Sequence, residues 1–151
     1  MNKFQKNISK INFNFWKNKN VYYSKISLSQ SMQTGLKIIQ GQGYLKNFFP
    51  KYAYEIISKI EIEIEQFDFE NPDFKKLGMI FDLIQAWGGK TGRQPYISVY
   101  KSRDKFDDWK LIYLESCKLS LEKPVQALTK LVEIKGVGRS FATKHIRFWG
   151  K

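Results

Sequence analysis

Apolar residues recur at spacings of three and four along most of the chain, and that spacing predicts helices. Ser29 to Gln40 reads as a helix, broken by Gly41 and Gly43. Pro50 stands as a first helical residue, followed by Tyr52, Ile56, Ile57, Ile60 and Ile64 at helical spacing. Within that run Glu61-Ile62-Glu63-Ile64-Glu65 alternates with period two, so a strand competes there. Asn71-Pro72-Asp73 offers a capping side chain, a proline and an early carboxylate, and starts a helix with Phe74, Leu77, Ile80, Phe81 and Ile84 on its buried face. That helix ends at Trp87-Gly88-Gly89. Asp104 caps a further helix to about Leu119, with Trp109, Ile112, Tyr113 and Ser116 or Cys117 inward. Two more follow. One runs from about Lys123 to Glu133 with Val125, Leu128, Leu131 and Val132 apolar, the other from Arg139 to Trp149 with Phe141, Ile146, Phe148 and Trp149 for packing. Near the N-terminus the period falls to two again. Ile11 to Phe15 and Val21 to Ile26 read as strands joined by a turn at Lys17 to Asn20, a small β-hairpin.

The expected fold is therefore mainly α. Residues 1–50 form a basic N-terminal segment with the β-hairpin, packed on the rest, and residues 51–151 form a helical domain.

Charge adds a partner to this picture. The chain carries a formal net charge of +12. The first 51 residues hold nine lysines and no carboxylate. Such an excess suits a polyanion, either nucleic acid or an anionic membrane surface. No run of 18 apolar residues predicts a membrane span, and the N-terminus lacks the apolar core of a signal peptide. One cysteine, Cys117, excludes an internal disulfide framework and suits a reducing, cytoplasmic compartment. One cysteine and one histidine, His145, are too few for a structural zinc site. Seven of the fourteen carboxylates lie between Glu55 and Asp73, where a solvated helix face is the ordinary explanation.

The stretch with the clearest chemistry joins the last two predicted helices. Gly136-Val137-Gly138 lets the backbone turn tightly, reach positive φ and approach a ligand. Amides of the turn and of the next helix's first turn lack internal partners, and with the helix dipole they make an anion site. Val137 points between the helices, and Ala142 is small enough for a close crossing. From Lys123 to Lys151 seven basic residues face one carboxylate, Glu133, a net charge of +6. A second basic glycine loop, Lys90 to Pro95, includes Arg93 but lacks the ending of a nucleotide P-loop.

Ile134, Gly136, Val137, Gly138 and Ala142 stand in the register of a helix-hairpin-helix motif, which this stretch resembles at residues 123–149. Residues 75–149, from Ala86-Trp87-Gly88-Gly89 to Lys144-His145-Ile146-Arg147-Phe148-Trp149, are similar to bacterial proteins related to 8-oxoguanine DNA glycosylases. The resemblance implies double-stranded DNA as partner and base-excision repair of an oxidised purine by base flipping. It implies phosphate contacts at Lys135, Gly136, Val137, Gly138, Arg139, Ser140 and Arg93, and stacking on the flipped base by Trp87 or Phe148. It implies no cofactor beyond a monovalent cation held by hairpin carbonyls.

The chain departs from the family twice. Where bifunctional members carry a lysine two residues after Gly-Val-Gly, this chain has Ser140. Lys144, one turn further along the same face, is the candidate catalytic amine, and a phosphate-contacting or solvated lysine is its bland alternative. The family's aspartate after the hairpin helix is absent, because no carboxylate follows Glu133. Three readings stand: the chain stops short of its catalytic end; Asp82, Asp104, Asp107 or Asp108 substitutes; or the protein is a non-catalytic DNA-binding module or accessory subunit. A basic domain that binds RNA or single strands by stacking is a further alternative.

Overall fold

The computed structural model describes residues 26–88 and 108–151. Six α-helices lie among them: α1 Gln30–Gly41, α2 Ala53–Glu65, α3 Phe74–Gly88, α4 Trp109–Leu119, α5 Pro124–Leu131 and α6 Arg139–Trp149. The mainly α expectation is met. The N-terminal β-hairpin falls outside the described residues. So do the Lys90 to Pro95 loop with Arg93, and Asp104 and Asp107. No helix among the described residues is long and apolar enough to cross a membrane.

α3 is the axis of the fold. α1, α2, α4 and α6 all pack on it, and α5 joins through α4 and α6. Leu77, Ile80, Phe81, Leu83, Ile84 and Ala86 are all buried, so the helix is enclosed on every side rather than along the single stripe predicted. Phe81 sits at its middle, edge-on to Trp109 and Tyr113 at 5.0 and 4.8 Å and stacked on His145 at 4.6 Å. Met32, Leu36 and Ile39 of α1 belong to the same core cluster, so residues 30–41 share one core with the helices that follow.

The helix starts show how local chemistry refines the pattern. Ser29 caps α1, its hydroxyl accepting from the Met32 amide at 3.2 Å. α2 begins at Ala53, three residues later than Pro50 suggested. The Glu55 carboxylate reaches back to the Lys51 and Tyr52 amides at 2.6 and 2.8 Å and sets the start there. α3 is capped by Asp73, which accepts from the Lys75 and Lys76 amides at 2.9 and 3.1 Å, so the cap is Asp73 and not Asn71.

The ambiguous Glu61 to Glu65 stretch is helical. Ile56, Ile60 and Glu63 share one buried face at spacings of four and three, whereas a strand would turn Glu63 to the face opposite Ile60. Glu63, buried on the same helix, is held by Lys59 at 2.6 Å and Lys76 at 3.2 Å. Burial pushes its pKa up, but the two ammonium groups outweigh that and leave it below the ordinary value. A depressed folded-state pKa stabilises the fold above the unfolded value near 4.5 and loses that contribution as pH falls through the folded value. Thermal melts of the parent should therefore drop below about pH 4.5. Glu63→Gln should melt lower at pH 7, by on the order of 1 kcal/mol, and show a flatter acid limb. An unchanged acid limb in the variant would remove Glu63 from the account.

Candidate nucleic-acid interface

The α5–α6 connection begins with a tight turn. The Val137 amide donates to the Ile134 carbonyl at 3.0 Å, closing a four-residue turn over Ile134-Lys135-Gly136-Val137. Gly136, third in the turn, has φ +90°, the left-handed value that a type II turn requires and that a side chain resists. Gly138 differs from expectation: its φ is −84° and ψ 170°, an extended N-cap conformation open to any residue. Of the two glycines only Gly136 is needed for backbone freedom. Gly138 instead leaves open space, since a Cβ there meets nothing within 4 Å.

Ile134 and Val137 are buried beneath this turn, and Ala142 is fully buried where α6 crosses, as the spacing predicted. Lys135, Gly136, Gly138, Arg139 and Ser140 are exposed. The Val137 amide is occupied by the Ile134 carbonyl, contrary to expectation. Among the described residues no group accepts from the amides of Gly136, Gly138, Arg139 or Ser140, and Gly138 supplies no side-chain cap. Three consecutive amides and the positive end of α6 thus face outward together.

The helix before the turn keeps half of its predicted face. Leu131 is buried and Leu128 packs against the core as the spacing predicted, with Ala127 and Ile134 buried beside them, whereas Val125 and Val132 are exposed at 75 % and 38 %. Both sets fit helical spacing, and packing against α4 chose between them.

A buried polar chain sets how α6 presents the hairpin. The Trp149 indole, which can only donate, fixes one end of it. Trp149 Nε1 donates to the Tyr113 hydroxyl at 2.8 Å, that hydroxyl is hydrogen-bonded to His145 Nδ1 at 2.8 Å, and His145 Nε2 is hydrogen-bonded to Gln85 Oε1 at 2.8 Å. The chain ties α6 to α4 and α3 at once. Burial, then the neighbouring Cys117, pushes the Tyr113 hydroxyl well above its usual pKa, so it remains a donor. Burial likewise raises the Cys117 thiol, an inert core cysteine as the sequence suggested. Gln85 Nε2 has no hydrogen-bond partner among the described residues. The sequence held a sign of this network that spacing alone does not interpret: Asp82 and Gln85 interrupt the otherwise apolar run from Leu77 to Gly88.

The remaining candidates divide. Lys144 is half-buried: its ammonium donates to the Gly88 carbonyl at the end of α3 and lies 4.6 Å from the Phe141 ring centre. A side chain at Gly88 would collide with it, since a Cβ there comes within 2.7 Å of Lys144 Cδ. Lys144 thus finishes the C-terminus of α3 as it stands. Phe148 is buried, its ring edge-on to Trp87 at 5.1 Å, so this residue is a core side chain and not an open stacking surface. Trp87 keeps partial exposure, with the Arg147 guanidinium 5.5 Å from its ring centre. Of the candidate carboxylates, Asp82 is buried in α3 and Asp108 is exposed before α4. Among the described residues no three His, Cys, Asp or Glu side chains are grouped to hold a metal.

Set against protein-family models, curated proteins and solved structures, the chain finds no match.

Proposed function

We propose that the protein binds duplex DNA through the backbone of one strand, with the α5–α6 hairpin as the phosphate site. The observation that carries this reading is the outward row of amides at Gly138, Arg139 and Ser140, at a helix N-terminus inside a segment of net charge +6. Arg139 and Lys135 flank the row and add charge. Such contacts position a duplex without reading its sequence. Affinity for a short labelled duplex should fall steeply with salt and be insensitive to base order. Sequence-dependent binding that persists at high salt would refute a backbone site.

Removal of an oxidised purine by base excision is the second reading. It rests on the resemblance of residues 75–149 and on the half-buried Lys144 beside Gly88. The geometry favours binding over chemistry, because Lys144 is engaged by the Gly88 carbonyl. Incubating the protein with a duplex carrying 8-oxoguanine, followed by borohydride, separates the two. A covalent adduct lost in Lys144→Ala establishes the amine as the nucleophile. Tight binding with neither adduct nor abasic product leaves a DNA-binding module.

A further inference from the structure

A second basic surface, made of different residues, lies at the other end of the central helix. The loop between α1 and α2 reads Tyr44-Leu45-Lys46-Asn47-Phe48-Phe49-Pro50-Lys51-Tyr52, and α2 adds Tyr54. Its two phenylalanines part company. Phe48 packs on the core, while Phe49 is 74 % exposed. Tyr52 and Tyr54 are 37 % and 44 % exposed and stack on each other, with ring centres 6.2 Å apart and planes 17° from parallel.

This display is held rather than loose. Gln40 Nε2 donates to the Phe48 carbonyl at 2.8 Å, and the Phe48 amide donates to Leu45 at 3.0 Å. Leu45 takes a left-handed φ of 55°, an uncommon conformation for a branched side chain, at the bend that lets Phe48 turn inward. On the far side the Ala53 amide donates to Ile26 at 2.9 Å and Ser27 bridges Tyr52. A surface pocket lined by Lys46, Asn47 and Lys59 adjoins the loop. The loop's nearest carboxylate in sequence, Glu55, is turned onto the Lys51 and Tyr52 amides. Lys59 is paired with Glu63, which leaves Lys46 and Lys51 as the loop's own cations.

We infer that Phe49, Tyr52 and Tyr54, with Lys46 and Lys51, form a stacking platform for single-stranded nucleic acid. Exposed rings offer faces to unpaired bases of any identity, and the lysines meet the intervening phosphates. A duplex has no free base faces to offer such rings, and an acidic peptide would not require them. The position separates this surface from the hairpin. Tyr44 lies 5.7 Å under the Lys75 ammonium at the start of α3, whereas Lys144 of the hairpin helix caps its end. The 15 residues of α3 set these two points about 20 Å apart. One phosphate cannot serve both, and the free base faces that the rings need make the platform's strand an unpaired one.

Anisotropy of a labelled oligothymidine of about a dozen nucleotides tests this at low salt. The parent binds it, and Phe49→Ala with Tyr54→Ala weakens binding at least about tenfold with an unchanged circular dichroism spectrum. Duplex affinity stays as in the parent. Lys46→Gln with Lys51→Gln lowers the salt dependence. Gly138→Asp, which addresses the hairpin, leaves the single strand bound, so failure at the hairpin and failure at the platform are told apart. Absence of parental binding, or an aromatic double variant that binds as the parent does, overturns the platform. So does a loss confined to anionic phosphatidylserine vesicles, which would assign the rings to a membrane surface.

Discussion

Gly138→Asp is expected to make the protein more stable and to weaken its hold on DNA. The position has N-cap dihedrals and open space for a side chain, so the new carboxylate can accept from the first-turn amides of α6. Capping together with the favourable helix-end charge should add about 0.5–1 kcal/mol. The same carboxylate takes the amides from a phosphate and places a negative charge where the phosphate would sit. Loss of one charge-assisted contact of about 2–3 kcal/mol corresponds to a fall of roughly 30- to 150-fold in affinity. Gly138→Ser caps without a charge and should stabilise while costing less binding. Paired melting and duplex titrations check both directions. A Gly138→Asp protein that melts higher and still binds would show that phosphate goes elsewhere.

Tyr113→Phe is the second large effect, and it falls on stability. The ring still fits, but its hydroxyl accepts from Trp149 Nε1 and bridges that indole to His145 Nδ1 in a fully buried site. Two buried polar atoms left short of partners cost about 1–3 kcal/mol each, so about 2–6 kcal/mol together. For a domain of this size the melting temperature should drop by about 5–15 °C. Because the lost bonds orient α6, duplex affinity should fall as well, even in conditions where the variant stays folded. A variant within 1 °C of the parent would mean that another group already satisfies the indole and the imidazole.

The hairpin was legible because its instructions are local. A glycine that must take positive φ, apolar residues on either side of it and a small residue one turn on all act within a dozen positions. α6 begins and ends where the pattern placed it. Starts decided by a reaching side chain were harder. Glu55 and Asp73 overrode the prolines that seemed to mark α2 and α3, because a carboxylate bonded to free amides outweighs proline's mild preference for a first turn. Two features were not legible at all. The buried face of α5 was legible at Leu128 and Leu131, but only contact with α4 separates Ala127 from Val125 and Val132. The Tyr113–His145–Gln85 chain joins residues up to 60 positions apart, and no spacing within one helix encodes it. Phe148 illustrates the same limit. Its aromatic character is plain in the sequence, but whether it faces solvent depends on Trp87 beside it. For Lys144, likewise, the helix register was visible and the carbonyl it meets was not.

The bare α-carbon at Gly88 gives one buried position leverage over the outer surface. Adding a methyl group there crowds the aliphatic stem of Lys144 and must push it aside. The ammonium, parted from its carbonyl, would swing out on the flank of the same helix whose leading edge is the anion site. The molecule's grip on a polyanion is thus tunable from within, by a change that never touches the bound strand.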